Sequence, residues 1–245
     1  MNGAGLIECR NIFKSFGEKA VLQGVNLTVA RGETMVILGG SGSGKTVLLK
    51  HMNGLVGPES GEVLLDGLEI SRMEEDELTE VRKKAAMVFQ GCALFDSMTI
   101  GENVAYPLNE HTTFSPAEIR DRVRETLSLV GLEGSEELYP AEMSGGMKKR
   151  AALARALVLR PETLLYDEPT TGLDPMMTHR INRLIRDLQK KLAVTSVVVT
   201  HDLQSAFVVA DRLAFLQKGQ IQFVGTREEF QASTDLAVHE FLANG

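Results

Sequence analysis

Gly39-Gly40-Ser41-Gly42-Ser43-Gly44-Lys45-Thr46 has the spacing G-x-x-x-x-G-K-[ST] of a phosphate-binding P-loop. The spacing follows from chemistry. Glycines let the backbone curl until consecutive N–H groups face one anionic centre. Lys45 then reaches the β- and γ-phosphates, and the Thr46 hydroxyl sits on Mg²⁺. The flanks fit this reading. Thr34-Met35-Val36-Ile37-Leu38 predicts a buried strand, and Val47-Leu48-Leu49-Lys50-His51-Met52 predicts a helix stopped near Asn53-Gly54. A strand feeding a helix N-terminus adds the helix dipole to the anion site. An ordinary glycine-rich turn would not need all three parts together.

The bulk composition sets the frame. The chain has 245 residues, 43% hydrophobic and 24% charged, enough for a substantial core. No apolar run reaches membrane-spanning length. Met1-Asn2-Gly3-Ala4-Gly5 lacks the charged start and apolar stretch of a signal peptide. Cys9 and Cys92 form neither a disulfide framework nor a metal-ligand cluster, so a reducing cytoplasm is the expected compartment. The net charge of −7 argues against a general nucleic-acid binder, which needs a basic face.

Elsewhere the pattern alternates between strand and helix. Leu6-Ile7-Glu8-Cys9, Val25-Asn26-Leu27-Thr28-Val29 and Val63-Leu64-Leu65 read as early strands, the last before an Asp66-Gly67 turn. Ser115-Pro116-Ala117-Glu118 is a capping box, and Ile119, Val123, Leu127 and Val130 follow as one apolar stripe. Residues 92–160 therefore predict a mainly helical insert. Thr163-Leu164-Leu165-Tyr166-Asp167 and Thr195-Ser196-Val197-Val198-Val199-Thr200 predict buried parallel strands, separated by an amphipathic helix around Ile181, Leu184, Ile185, Leu188 and Leu192. Arg212 to Val224 predicts a hairpin turning at Lys218-Gly219, and Thr226-Arg227-Glu228-Glu229 opens a last helix. The expected class is α/β.

The strand ending in Asp167-Glu168 narrows the chemistry. Open α/β sheets bind ligands at the carboxyl ends of their strands, which puts both carboxylates beside the P-loop. Asp167 can hold hydrated Mg²⁺, and Glu168 can face the γ-phosphate and its attacking water. A solvated acidic turn is the plain alternative.

A third element is Met143-Ser144-Gly145-Gly146-Met147, which opens the basic helix Lys148-Lys149-Arg150-Ala151-Ala152-Leu153-Ala154-Arg155-Ala156-Leu157. Ser144 and the Gly145-Gly146 backbone at a helix N-terminus can make a second phosphate site, and a Gly-Gly loop before a surface helix is the plain alternative. This turn resembles the signature motif of ABC ATPases, whose usual form is Leu-Ser-Gly-Gly-Gln. Met143 stands for the Leu and Met147 for the Gln. The resemblance runs in order along essentially the whole chain. It implies an ABC-type P-loop ATPase domain over 1–245. Residues 1–91 and 161–245 would form a RecA-like core with an antiparallel β-subdomain, and 92–160 the helical subdomain. It further implies that Phe16 stacks on adenine, that Gln90 senses Mg²⁺ and water, that Asp174 crosses a dimer, and that His201 contacts the γ-phosphate.

The cycle implied is that two ATP, with Mg²⁺, are sandwiched in a head-to-tail homodimer that closes on binding and reopens on hydrolysis. Lys45 and Mg²⁺ stabilise charge, Glu168 polarises water, His201 positions it, and Ser144 comes from the partner. Such a subunit docks on integral membrane permease subunits near Gln90 and the helical insert, as a peripheral protein at the cytoplasmic side of the inner membrane. Met147, with the segment Leu94 to Leu108, resembles the Mla/Mce lipid-transport ATPases. Those work with a permease and an MCE-type lipid-binding protein to move phospholipids between bacterial inner and outer membranes. The alternatives are the ATPase of another transporter, or a non-transport ABC scaffold such as one for iron–sulfur assembly.

Overall fold

The computed structural model describes residues 6–244. The segment Met1–Gly5, read above for targeting, lies outside them. The chain opens with an antiparallel hairpin of β1 (Ile7–Phe16) and β2 (Lys19–Val29). Next come β3 (Thr34–Leu38) and α1 (Lys45–His51), the strand and helix around the P-loop. β4 (Ser60–Leu65) and β5 (Leu68–Glu69) follow, turning at Asp66-Gly67.

The sequence reading passed over the next two elements, α2 (Glu75–Lys84) and β6 (Ala85–Val88). α2 has acids in its first turn and Arg82, Lys83 and Lys84 in its last, an order that suits the helix dipole. The insert follows with α3 (Ile100–His111), α4 (Pro116–Leu129), a single 3₁₀ turn at Pro140–Glu142, and α5 (Gly145–Leu157). The capping box read at Ser115 caps α4, and its stripe residues Val123, Leu127 and Val130 are buried.

β7 (Thr163–Asp167), α6 (Pro175–Leu192), β8 (Thr195–Thr200) and α7 (Leu203–Val209) complete the core. The expected second hairpin is β9 (Arg212–Gln217) and β10 (Gln220–Gly225). The helix capped by Thr226 is the short α8 (Arg227–Gln231). It is not the last, because α9 (Leu236–Asn244) follows it.

The strands form two sheets. One is four-stranded and antiparallel, in the order β2-β1-β4-β5. The other is six-stranded, in the order β10-β9-β3-β8-β7-β6, and only β10 pairs antiparallel. β3, β7 and β8 are buried at every position, which is why they read as unbroken apolar runs. Alternate residues serve opposite faces. Met35, Ile37, Leu165, Val197 and Val199 pack with Leu48 and Leu49 of α1, with Met52 at its C-cap, and with the small sheet. Val36, Leu38, Leu164, Tyr166 and Val198 pack instead with the α3–α5 insert and with α6 and α7. Parallel pairing then sets the positions of the site. Leu38 lies opposite Thr200, and Asp167 opposite Val199, so the chain leaves β3, β7 and β8 at one edge of the sheet.

Candidate active site

The Gly39–Gly44 loop joins β3 to α1. Gly44 is the N-cap of α1 at φ 104, in the left-handed region that glycine adopts without strain. Gly39 has a different constraint, since a Cβ there would lie 2.4 Å from the Leu216 carbonyl oxygen of β9. Lys45, the first helical residue, is 6% exposed. Its Nζ donates to the Gly39 carbonyl at 2.8 Å and the Gly40 carbonyl at 3.1 Å. It also lies 3.6 Å from Glu168 Oε1. Burial lowers the Lys45 pKa, while Glu168 opposes that shift.

Asp167 ends β7 and accepts a hydrogen bond from Thr46 Oγ1 at 2.7 Å. Burial raises its pKa, and the Thr46 contact works against the rise. Glu168 follows at φ 47, left-handed for a non-glycine residue, with its N–H donating to the Val199 carbonyl at 3.0 Å. Its carboxylate accepts from Thr171 Oγ1 at 3.1 Å, and both of its oxygens lie 3.0 Å from His201 Nδ1. Thr200 Oγ1 is at 3.5 Å. Lys45, Thr46, Asp167, Glu168 and His201 are thus one polar cluster at the carboxyl edge of the sheet, where P-loop glycines and an ammonium meet two carboxylates.

The remaining candidates stand outside that cluster. Gln90 is exposed, two residues past β6, and its main-chain carbonyl is anchored by Lys149 Nζ at 2.5 Å. No side-chain hydrogen bond joins Gln90 to the cluster among the described residues. Phe16 ends β1, is 52% exposed, and has Lys14 Nζ 5.5 Å from its ring centroid. It is therefore a surface ring, available for stacking. Ser144 is the exposed N-cap of α5, accepting from the Met147 N–H at 3.3 Å. Asp174 is the exposed N-cap of α6 and accepts from the Met177 N–H at 2.9 Å. Met177 lies against Gly146, and Leu173 against Gly145. The signature turn and the 172–174 loop therefore form one exposed surface. Among the described residues no hydrogen bond links Ser144 or Asp174 to Lys45 or Glu168.

The ABC transporter family profile matches residues 22–171, well over half of the chain. The chain belongs to the ABC transporter family. It is 41% identical over 239 residues to the intermembrane phospholipid transport system ATP-binding protein MlaF of Escherichia coli, covering 98% of this chain and 89% of that one. It is 44% identical over 236 residues to the probable ribonucleotide transport ATP-binding protein mkl of Mycobacterium tuberculosis, covering 96% of this chain. The chain spans 66% of the length of that relative. Among solved structures it resembles a dimeric post-hydrolysis state of the ATP-binding cassette MJ0796 bound to ADP and Pi, at 34% identity and a TM-score of 0.82. That match covers 90% of this chain and 98% of the other.

Three contributors to this ABC site escaped the sequence reading. Thr171 and Thr200 hold the Glu168 carboxylate, and their only local signal is that they follow or end a strand beside a named residue. Lys149 was read as part of a basic run, and nothing local shows that it is buried.

Proposed function

We propose that this chain binds and hydrolyses ATP to drive a membrane transporter, and that the cluster around Lys45 and Glu168 is its catalytic centre. The observation that carries the reading is the joint contact of Glu168 with Lys45 and His201 beside a complete P-loop. Lys45 exchanges its carbonyl partners for phosphate oxygens and concentrates positive charge where the transferring phosphoryl group becomes anionic. Glu168 takes the proton of the attacking water, and His201 fixes the carboxylate from its outer side. Thr46 and Asp167 converge through oxygen atoms, a donor set that suits Mg²⁺. When bound, that ion would neutralise phosphate charge. Gln90 would join them through its side chain.

Ser144, Gly145, Gly146 and Asp174 are assigned to the second half of the site, completed across a homodimer. The dimeric cassette it resembles supports that assignment. Phe16 is assigned to adenine. Residues 92–160 act as the helical subdomain on a core formed by 1–91 and 161–245.

The cargo path lies in other chains. No helix among the described residues is long and apolar enough to cross a membrane. We assign permease docking to the groove beside Gln90, lined by Phe89, Phe95, Tyr106, His111 and Arg82. Phe95 and Tyr106 are 41% and 38% exposed with ring centroids 5.0 Å apart. A phospholipid cargo, with an MCE-type binding protein and a position at the cytoplasmic side of the inner membrane, is favoured. Alignment to the MlaF relative runs nearly end to end, and Met147 occupies the signature turn. Ribonucleotide transport is the second reading, supported by the 44% identity to mkl.

The test is to tag the Glu168→Gln variant in its native cells and identify what co-purifies from detergent-solubilised membranes. A permease with an MCE-domain protein and bound phospholipid supports the lipid reading. A permease with bound nucleotide cargo favours the second. Soluble partners alone would remove transport and promote a scaffold role.

A further inference from the structure

Helix α5 does more than present Ser144. Its cations hold the main chain of segment 90–93. Lys149 donates to the Gln90 carbonyl at 2.5 Å, and Arg155 donates to the Ala93 carbonyl at 2.7 Å and the Cys92 carbonyl at 3.0 Å. That segment needs holding, because Cys92 and Ala93 sit at φ 64 and 51, which side chains with a Cβ disfavour. Arg155 also lies over the ring of exposed Phe95, at 5.8 Å from its centroid.

Lys149 reaches further. Its ammonium is buried and lies 3.5 Å from the main-chain carbonyl of Glu168, the other residue here with left-handed backbone. The Glu168 carboxylate faces Lys45 and His201, and the hydrogen-bond partners of Lys149 Nζ among the described residues are carbonyl oxygens. A buried ammonium held by carbonyls is costly to desolvate. An apolar side chain would staple α5 to the core without that cost. What the ammonium adds is a single donor shared by two peptides, one after β6 and one after β7.

We propose that Lys149 is a positioning residue for ATP hydrolysis. It holds the Gln90 and Glu168 peptides in one arrangement, so that the Glu168 carboxylate meets the attacking water only when segment 90–93 is seated on α5. This rests on the reading of Glu168 as the base. It makes the helix that carries the signature turn also the support of the base in the same chain. Displacement of segment 90–93 at the Phe95 face is then felt at Glu168 through Lys149, without any contact between Gln90 and Glu168 side chains.

The experiment is steady-state ATP hydrolysis by the full chain carrying Lys149→Met, Lys149→Arg or Lys149→Leu, with Glu168→Gln as the inactive reference and thermal unfolding of each. Lys149→Met should lower kcat by about ten- to hundredfold, the size expected for losing one charge-assisted hydrogen bond to a positioned group. Its KM for ATP should stay within about twofold, since no nucleotide contact is removed. Lys149→Arg, which keeps the donors, should recover most of kcat. Wild-type kcat in folded Lys149→Met, with Glu168→Gln inactive, overturns the proposal. So does a loss that tracks the folded fraction and is not restored by arginine. If the methionine variant does not fold, Lys149→Leu, which also lacks a donor, decides, because a folded leucine variant at wild-type kcat overturns the proposal and a reduced kcat at unchanged KM supports it. Normal turnover by Glu168→Gln removes the base reading itself, and this proposal with it.

Discussion

Gly39 fills a fixed glycine of the P-loop pattern and Gly40 a free position, and the structure supplies a physical reason for the difference. A Cβ on Gly39 would lie 2.4 Å from the Leu216 carbonyl oxygen and 2.7 Å from Ser43 Oγ. The serine can rotate, but the carbonyl belongs to β9, hydrogen-bonded beside β3 within the sheet. Real Cβ contacts do not fall below 3.0 Å, so loop and strand must part by at least roughly 0.6 Å. Overpacking of this kind costs about 1–3 kcal/mol. In a chain of this length that lowers the unfolding midpoint by about 2–4 °C per kcal/mol. Gly40 has no heavy atom within 4 Å of its added Cβ and no left-handed φ, so Gly40→Ala should be neutral, or stabilising by about 0.4–1 kcal/mol through the unfolded chain. The assay is urea and thermal unfolding of both variants without nucleotide, followed by nucleotide titration of Gly39→Ala. Its displaced loop N–H groups should weaken binding by about tenfold, the equivalent of one modest hydrogen bond. Equal unfolding midpoints for the two variants would refute the argument, because the difference rests wholly on the Leu216 carbonyl.

Three further outcomes are expected. Lys45→Ala should lower ATP turnover by at least about 100-fold, as when a single preorganised charge stabiliser is removed. Wild-type turnover in that variant would exclude the P-loop from catalysis. Thr46→Val should raise the Mg²⁺ concentration needed for half-maximal turnover while leaving the fold in place, and an unchanged Mg²⁺ titration would separate Thr46 from the metal. His51 is fully buried on α1, its Nδ1 donates to the Val47 carbonyl at 2.6 Å, and Nε2 has no hydrogen-bond partner among the described residues. Burial lowers its pKa below the ordinary 6.5, so its contribution to stability is intact above that pH and is lost as pH falls through the lowered value. The unfolding midpoint should therefore drop less between pH 7.5 and 5.5 in His51→Gln than in the unaltered chain, and parallel curves would contradict this.

What could be read from sequence was the chemistry carried by contiguous residues. The P-loop, the Asp167-Glu168 pair after an apolar strand and the Ser144 turn each announce themselves within a few positions. The α/β class followed from the buried runs of β3, β7 and β8, whose burial on both faces leaves no polar alternation. α2 and β6 escaped because they bury little. Leu78 and Val81 are the buried residues of α2 in an otherwise charged helix, and Ala85–Val88 is a short edge strand with one β-branched residue. The contact of His201 with Glu168 depends on β7 and β8 being neighbours, which the local pattern around either residue does not encode. Lys149 is the extreme case. Lys148, Lys149 and Arg150 read alike, and only the packing of α5 selects one of them for burial.

The placement of α3–α5 between two adjacent strands has a mechanical consequence. The chain departs after Val88, at the carboxyl end of β6, and re-enters at Thr163, which lies opposite Ala85 at the amino end. Departure and re-entry are thus one strand apart across the sheet and three residues apart along it, roughly 11 Å in all. Two tethers at that separation define a short axis. The unit swinging on it is long by comparison, since α4 alone has 14 residues and spans about 21 Å. A turn of ten degrees at the sheet would sweep the far end of such an arm through roughly 3–4 Å, about one residue of extended chain. Topology alone sets this leverage. The sheet could then stay rigid while the far end of the insert moves.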